Sequence, residues 1–165
     1  MSKLKKSVGE KIGPFEFRVS PAWVPVFGAA VKSQCYLAAA GQGIGGASPT
    51  SGTMDALPTF LTVLRQGEFD LLQKFGIPLS TILHGEQEYE YLEPISPGDL
   101  LKYTTAIQQV HEKRGSSKSS VGGDLLQFLV LETEVHGSGG RKVALTRSTL
   151  IIRTPNPAPI EGRTP

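Results

Sequence analysis

The spacing of hydrophobic residues changes along the chain and divides it into a helical first part and an extended second part. Apolar and polar residues alternate over 15–19, which predicts a short strand. Ser20 follows as a candidate N-cap, with a proline at the first helical position, so we predict an alanine-rich helix over 21–40. Apolar residues recur on one side of a second predicted helix, over 58–75.

From Ser80 onward the hydrophobic pattern has the period of two that is typical of strands. Turn signals rich in Gly, Pro and Ser separate four predicted strands, and the last two pairs of strands are predicted to form hairpins. The four strands lie at about 81–92, 100–112, 124–137 and 142–153. Helices followed by an antiparallel sheet indicate an α+β fold. A sheet curled around one long helix buries the apolar faces of both.

The length of 165 residues suits one domain with a substantial core. We predict a basic tail over 1–12, a single domain over 13–154 and a flexible, Pro-rich tail over 155–165. Cys35 is the only cysteine, so no internal disulfide forms, which suits the cytoplasm. The sequence has neither a secretion signal nor an apolar segment long enough to span a membrane. The net charge of +2 is too small to indicate nucleic-acid binding.

Three features match catalytic or binding motifs but lack the context that the chemistry requires. The segment Gly41–Gly46 fits the dinucleotide pattern G-x-G-x-x-G, but no strand precedes it and no βαβ unit follows, so it is interpreted as a loop. Cys35 lies within an apolar helix, which favours a small core residue over a nucleophile. His84, His111 and His136 do not have the spacing of metal ligands, and we predict no metal site.

Two polar segments of the second part admit both a functional and a purely structural interpretation. Glu86, Glu88 and Glu90 share one face of a predicted strand, and the simplest interpretation is a row that faces solvent or an interface. The segment 113–120 joins two strands with basic and small polar residues, which suits the phosphates of coenzyme A or phosphopantetheine and equally suits a solvated loop. His84 is either a ligand contact or a strand-end histidine bonded to a loop.

The segment from His84 to Asp99 combines an alternating strand, a Pro-rich turn and a Gly-Asp pair. It resembles the start of the sheet in MaoC-like dehydratase N-terminal domains, and the similarity extends from about residue 13 to residue 153. Further similar segments are the Pro-Thr-Phe helix start at 58–60, the basic hairpin at 111–115 and the last two strands at 131–135 and 147–150.

This resemblance implies a hot-dog fold, paired domains and action on acyl thioesters. Catalytic members add water to a trans-2-enoyl thioester, or remove it from a 3-hydroxyacyl thioester. They use an Asp and a His from a D-x-N-x-x-H-like motif after the helix, with a backbone N–H at a helix start for the enolate oxygen. Here the segment 31–40 holds no Asp, Asn or His, and Pro58 has no N–H to donate. The resemblance therefore implies a domain without the acid/base pair.

We accordingly predict a non-catalytic subunit of an (R)-specific enoyl-CoA hydratase or 3-hydroxyacyl thioester dehydratase. It would form a hot-dog homodimer, or a heterodimer with a catalytic MaoC-like subunit, and would wall the acyl tunnel. We predict no catalytic residue and no cofactor, with a coenzyme A or phosphopantetheine thioester as the substrate. The predicted substrate contacts are His84, Gly85, Thr59, Lys113, Arg114 and Lys118.

Two alternatives fit the same sequence. The first is a homo-oligomeric acyl-CoA-binding protein without turnover, which coenzyme A would protect from melting and which no partner would activate. The second is a thioesterase of the same fold, which would use Asp55, Glu68 or Asp70 near the second helix as base or nucleophile. Replacing Asp55 or Glu68 by alanine would then abolish hydrolysis.

Overall fold

The computed structural model describes residues 3–31, 58–114 and 125–154. Its strands are Lys11–Arg18 (β1), Ile82–Tyr91 (β2), Leu100–Arg114 (β3), Leu125–His136 (β4) and Lys142–Thr154 (β5). Its α-helices are Trp23–Ala30 (α1) and Gln66–Lys74 (α2), and short 3-10 helices lie at Lys3–Ser7, Phe60–Val63 and Leu79–Thr81. The predictions that fall outside the described residues concern Cys35, the segment 41–46, Asp55, Lys118 and the tail 155–165.

The strands form one antiparallel sheet of five, in the order β1-β3-β4-β5-β2. The four strands predicted in the second part of the sequence are confirmed to within two residues, and so are the hairpins β3–β4 and β4–β5. β2 does not pair with β3, the next strand along the chain, but lies at the far edge of the sheet beside β5. The α+β fold is confirmed.

The helices differ from their predicted bounds. α1 begins at Trp23 because Ser20 forms a turn first, in which its carbonyl accepts from the Trp23 N–H at 3.0 Å. The prediction of one helix over 58–75 is wrong. Leu64 leaves the helical conformation with ψ of 61° and buries its side chain in the core, so α2 starts only at Gln66. Within the described ranges, the helices are too short or too polar to cross a lipid bilayer.

The inner face of the sheet packs against α2 and its flanking segments, and its core consists of two apolar clusters. The first cluster surrounds Phe60 and Tyr103, with Leu61, Leu64 and Val135 among its buried members. The second cluster is formed by side chains of α2 and of the opposite end of the sheet. Its buried members are Leu4, Leu71, Leu72, Ile107, Leu129, Leu131, Leu150 and Ile152. The burial pattern of β4 and β5 alternates strictly over most of their length, as expected for a sheet with one buried face.

The described part of the predicted basic tail contacts the sheet. Leu4 in the 3-10 helix Lys3–Ser7 is only 5% exposed. Lys5 forms an ion pair of 2.6 Å with Glu112 on β3, and the Gly9 N–H donates to the Ile107 carbonyl at 2.8 Å. The predicted domain bounds stay a prediction, but the core extends to a residue that we assigned to the tail.

α2 approaches the sheet closely at Gly67. A Cβ atom at this position would lie 2.3 Å from Oγ1 and 2.7 Å from Cβ of Thr105 on β3. Glycine weakens a helix by about 1 kcal/mol relative to alanine. The contact with Thr105 explains why a glycine occupies the first turn of α2, since any larger residue would push the helix away from the sheet.

We expect Gly67→Ala to lower the free energy of unfolding by about 1–3 kcal/mol, because overpacking at Thr105 outweighs the gain in helix propensity of about 1 kcal/mol. Urea denaturation followed by circular dichroism measures the change. Gln73→Ala, at an exposed position of the same helix, is the control and should stay within about 0.5 kcal/mol of the wild type. Unchanged or increased stability of Gly67→Ala would contradict the close packing.

Candidate functional site

A β-bulge at Gly85 decides which face of the sheet His84 belongs to. Glu86 is in register with Thr149 of β5, and His84 is in register with Leu150, so the register skips Gly85. Leu150 is buried on the inner face, and side chains alternate between faces. His84 therefore lies on the inner side at the start of β2, whereas simple alternation would place it beside Glu86 on the outer side.

Gly85 fits this bulge because little space is left around it. A Cβ atom there would lie 3.1 Å from the carbonyl oxygen of Thr149 and 3.2 Å from Cδ1 of Ile151. A larger residue would press on the backbone of β5. Of the predicted contacts, His84 and Gly85 are thus brought together at one end of the sheet, and both are exposed.

The carboxylates of β2 form an exposed row on the outer face, as the sequence predicted. Glu86, Glu88 and Glu90 are all exposed. Arg147 on β5 bonds Glu132 at 2.8 Å and Glu88 at 3.2 Å. Its hydrogen bonds to Glu132 and then to Glu88 raise the pKa of the Arg147 guanidinium. The row is part of a charged outer surface.

Lys113 and Arg114 lie on β3, not in the loop that we predicted, because β3 continues to Arg114. As neighbours on a strand they point to opposite faces. Arg114 is two residues beyond Glu112, which is in register with the buried Gln127, so Arg114 shares the inner side with His84. Lys113 lies on the outer side. The structure separates the two cations that the sequence grouped together.

Thr59 lies at the opposite end of β2 from His84. The hydroxyl of Tyr91, the last residue of β2, donates to the carbonyl of Pro58 at 2.9 Å. A strand rises about 3.3 Å per residue, so seven residues separate His84 from Tyr91 by roughly 23 Å. The predicted contacts therefore do not form one compact site in a single chain, and their role in binding stays a prediction.

The described histidines do not form a metal or acid/base cluster with one another. Nε2 of His111 is 2.8 Å from Oε1 of Gln109 on the outer side of β3. His136 ends β4, far from His84 in the register of the sheet. Among the described residues there is no group of three His, Cys, Asp or Glu side chains that suits a metal ion.

A polar pocket between α2 and the inner face of the sheet was missed by the sequence analysis. We call it the α2 pocket. Arg65 and Glu68 line it from the helix side, and the polar residues on the sheet side are Gln87, Thr105, Thr133, Thr146 and Ser148. It separates the two apolar clusters of the core. The space open to the centre of a water molecule is about 10 Å³, which is enough for about one water-sized group.

Arg65 lines the α2 pocket with a side chain that is 38% exposed. One of its terminal nitrogens bonds Glu68, which is 7% exposed, and its guanidinium lies 5.3 Å from the ring centre of Phe69. The Arg65 Nε–H is buried and is the only buried side-chain group among the described residues that has no hydrogen-bond partner. On the sheet side, the hydroxyls of Thr105 and Thr133 bond each other at 2.8 Å.

The sequence contains a weak signal for this pocket. Thr105, Thr133, Thr146 and Ser148 stand at inward positions of three central strands, where apolar residues are expected. Threonine is common in strands, so each hydroxyl alone looks ordinary. Only the register of the sheet shows that these residues lie side by side.

The family of the chain follows from comparison with known proteins. A family model for the FAS1-like dehydratase domain region matches residues 7–146. The chain belongs to this family. A UPF0336 protein of Streptomyces coelicolor is 30% identical over 101 residues, which are 59% of this chain and 61% of that protein. The match therefore spans about three fifths of that curated relative.

Solved structures place the FAS1-like dehydratase domain among MaoC-like hot-dog folds. The HadBC (3R-hydroxyacyl-ACP dehydratase) complex of Mycobacterium tuberculosis has a TM-score of 0.64 at 20% identity, covering 88% of this chain and 96% of that chain. A MaoC-like dehydratase has a TM-score of 0.62 at 20% identity, covering 92% of this chain and 43% of that chain. The predicted MaoC-like hot-dog fold is confirmed.

This FAS1-like dehydratase domain lacks two features that the resemblance assigns to catalytic members: an Asp/His pair in the segment 31–40 and an N–H at residue 58. Most of the segment 31–40, which holds no Asp, Asn or His, is outside the described residues, so that departure rests on the sequence. Pro58 is described and exposed, and it contributes its carbonyl to the bond with Tyr91. Burial raises the pKa of Tyr91 to about 12, from an ordinary value of 10.0.

The Tyr91 phenol predicts a loss of stability in strong base. Between pH 10 and pH 12 the unfolded chain releases the Tyr91 proton and the folded chain keeps it, so stability falls as the pH rises. We expect urea midpoints of the wild type to drop between about pH 10 and pH 12 more steeply than those of Tyr91→Phe. Near pH 9, the variant should lose the hydrogen bonding of the phenol, including the bond to the Pro58 carbonyl, at about 0.5–1.5 kcal/mol for each bond. If the urea midpoints of the two proteins fell equally with pH, the raised pKa of Tyr91 would be contradicted.

Proposed function

We propose that the chain is a non-catalytic hot-dog subunit of an (R)-specific enoyl-CoA hydratase or 3-hydroxyacyl thioester dehydratase. It would join a catalytic MaoC-like subunit, or a second copy of itself, through the free edge of β2. The observation that carries the proposal is this edge: a ten-residue strand that, among the described residues, pairs on one side only. An edge of unpaired backbone N–H and C=O groups is a template for a further strand.

The two edges of the sheet differ in a way that favours β2. β1, at the other edge, contains Pro14, which has no N–H, and its register shifts between Ile12 and Phe15. Proline and bulges both protect an edge from pairing with another chain. β2 has no proline from Ile82 to Tyr91. Its bulge at Gly85 leaves six continuous residues, Glu86 to Tyr91, in regular register.

The side chains along β2 also suit an interface. Leu83 is 62% exposed on the outer side next to the bulge. The carboxylates of Glu86, Glu88 and Glu90 follow it and would select a partner with basic residues opposite. HadBC, which has a similar fold, was solved as a complex. These features support a partner subunit at β2.

The positions of His84, Arg114 and His111 support a role in forming the acyl tunnel and not a catalytic role. His84 and Arg114 both lie on the inner side of the sheet, and both residues are exposed and thus accessible to a carrier. His111 bonds Gln109, a neutral amide, and not a carboxylate that would tune it as a base. We assign His84, Gly85 and Arg114 to the carrier of the thioester, with coenzyme A and phosphopantetheine as the candidate carriers.

Because Lys113 and Arg114 lie on opposite faces of the sheet, we expect their replacement to affect carrier binding unequally. Arg114→Ala should weaken binding of coenzyme A by about fivefold or more, since an arginine–phosphate contact is a strong charge-assisted hydrogen bond. Lys113→Ala removes the same charge from the outer side of the same strand and is the matched control, with little expected effect. Isothermal titration calorimetry measures both. Equal losses would mean that the charge acts at long range and not by contact.

Reconstitution tests the proposed function directly. The purified chain alone should not hydrate crotonyl-CoA, and a mixture with a catalytic MaoC-like subunit should, as followed by loss of the enoyl absorbance. Leu83→Asp should weaken assembly about tenfold, or about 1.4 kcal/mol. Val8→Asp, an exposed aliphatic position near the opposite edge of the sheet, is the control and should assemble normally. Full hydratase activity of the chain alone would refute the proposal.

A second candidate function is thioester hydrolysis with Glu68 as the base. It is favoured by one observation, the burial of the Glu68 carboxylate beside a water-sized space in the α2 pocket. Asp70, the other described candidate, accepts a hydrogen bond from Gln66 at 2.6 Å and does not line this pocket. A thiol reagent added to the reconstitution assay separates the two functions, because a thioesterase releases free coenzyme A without any partner and a hydratase does not.

A further inference from the structure

The outward side chains of β2 carry negative charge at three alternate positions. Glu86, Glu88 and Glu90 are exposed, and they alternate with Gln87 and Tyr89, whose register partners on β5 are buried. Side chains of directly opposite residues in paired strands lie on the same face. A strand that pairs with the edge of β2 must therefore place its own outward residues against this carboxylate row.

Two of the three carboxylates lie beside neutral residues of their own sheet. Glu86 is in register with Thr149 of β5, and Glu90 is in register with Leu145. Neither of these neighbours carries a charge. The two ends of the carboxylate row are therefore not matched by a cation across the β2–β5 pair.

The middle of the carboxylate row is only partly neutralised. Arg147 of β5 is in register with Glu88 and bonds it at 3.2 Å, but the same guanidinium bonds Glu132 of β4 at 2.8 Å. Lys142, which lies farther along β5, bonds Glu134 of β4. Both cations are thus shared with carboxylates of β4, and the edge of β2 keeps a negative outward side.

A second copy of the chain would bring the carboxylate row against itself. Two identical edges that extend one sheet with the same face inward are related by a twofold axis perpendicular to the sheet, so they run antiparallel. If at least five of the six regular residues from Glu86 to Tyr91 pair, the axis passes beside Glu88 or beside Tyr89.

Both of these registers place carboxylates opposite carboxylates. With the axis beside Glu88, this residue lies opposite its own copy, and Glu86 lies opposite Glu90 of the second copy at two symmetric places. With the axis beside Tyr89, Glu88 lies opposite Glu90 of the second copy, again at two places. The inward residues carry no charge. The outward row alone therefore sets the electrostatic cost of self-pairing.

The size of this effect is enough to select between partners. Like charges directly opposite destabilise paired strands, and opposite charges stabilise them, by a factor of about two or more for each pair of side chains. Two opposed pairs weaken self-association by roughly fivefold, and two attractive pairs strengthen association by a similar factor. A strand with basic outward residues is then favoured over a second copy by about twentyfold.

We propose that the carboxylate row makes the edge of β2 reject a second copy of the chain and accept the edge strand of a different subunit, with Lys or Arg at alternate outward positions. The inference deepens the proposed function, which leaves both kinds of partner open, and it rests on that function for β2 as the interface. Glu86, Glu88 and Glu90 are then residues that determine the choice of partner.

Two variants of the full chain test the carboxylate row without the natural partner. The neutral-edge variant carries Glu86→Gln, Glu88→Gln and Glu90→Gln. The basic-edge variant carries Glu86→Lys, Glu88→Gln and Glu90→Lys, and it stands in for a partner with a basic edge. Analytical ultracentrifugation measures the self-association of each protein and the association of the wild type with the basic-edge variant. Melting curves establish that all variants are folded.

We expect the wild type and the basic-edge variant to self-associate weakly, and the neutral-edge variant to self-associate about fivefold more tightly than the wild type. The mixture of wild type and basic-edge variant should associate about twentyfold more tightly than the wild type with itself. Salt at about 1 M, where the Debye length is about 3 Å, should strengthen self-association of the wild type and weaken the mixture.

Glu16→Lys is the control for a general effect of charge. It introduces a lysine at an exposed outward position of β1, the other edge of the described sheet. Mixed with the wild type, this variant should associate no more tightly than the wild type alone. Association as tight as that of the basic-edge variant would mean that net charge, and not pairing at β2, brings the chains together, and would overturn the inference.

Three further results would overturn the inference: a wild type that self-associates as tightly as the neutral-edge variant, a mixture no tighter than the wild type alone, or the same direction of salt dependence in both. Hydration of crotonyl-CoA by the reconstituted complex tests the proposed function independently. An active complex from a chain whose self-association ignores the carboxylate row would refute this inference alone. An inactive complex beside the expected charge effects would refute the proposed function alone.

Discussion

The contact between α2 and the sheet at Gly67 constrains the rest of the structure. It sets the distance between the helix and the central strands, because Thr105 leaves no space for a side chain at this position. Leu71 and Leu72, on the following turn of the helix, then reach the second apolar cluster, while Arg65 and Glu68 at its start reach the polar residues of β4 and β5. One close approach thus defines both the apolar core and the α2 pocket beside it.

The α2 pocket and the edge of β2 give the chain two separate specialised regions. The pocket lies on the inner face, between helix and sheet, and its charges are matched within the chain. β2 is an edge strand, and among the described strands it pairs only with β5.

The Gly85 bulge decides which side chains at the start of β2 face inward. By skipping one residue in the register with β5, it turns His84 toward the inner face and leaves Leu83 on the outer face at the edge. A glycine is favoured because the Thr149 carbonyl and the Ile151 side chain crowd this position. The bulge therefore reverses the faces of the residues before it, so that His84 lies on the inner side and Leu83 on the outer side.

The sequence by itself determined the elements whose signal is local. The period-two alternation from Ser80 onward specified four strands and two hairpins, because alternation reports which residues share a face. The resemblance of 84–99 to MaoC-like domains gave the fold. Tertiary structure alone decided that β2 lies beside β5. It also decided that β3 extends to Arg114, which places Lys113 and Arg114 on opposite faces of the sheet. Finally, it placed Arg65 and Ser148 in the lining of the same pocket. Alternation shows which residues of a strand share a face, but it does not show which strand lies beside it. A pocket formed by residues far apart in the chain produces no local pattern in the sequence.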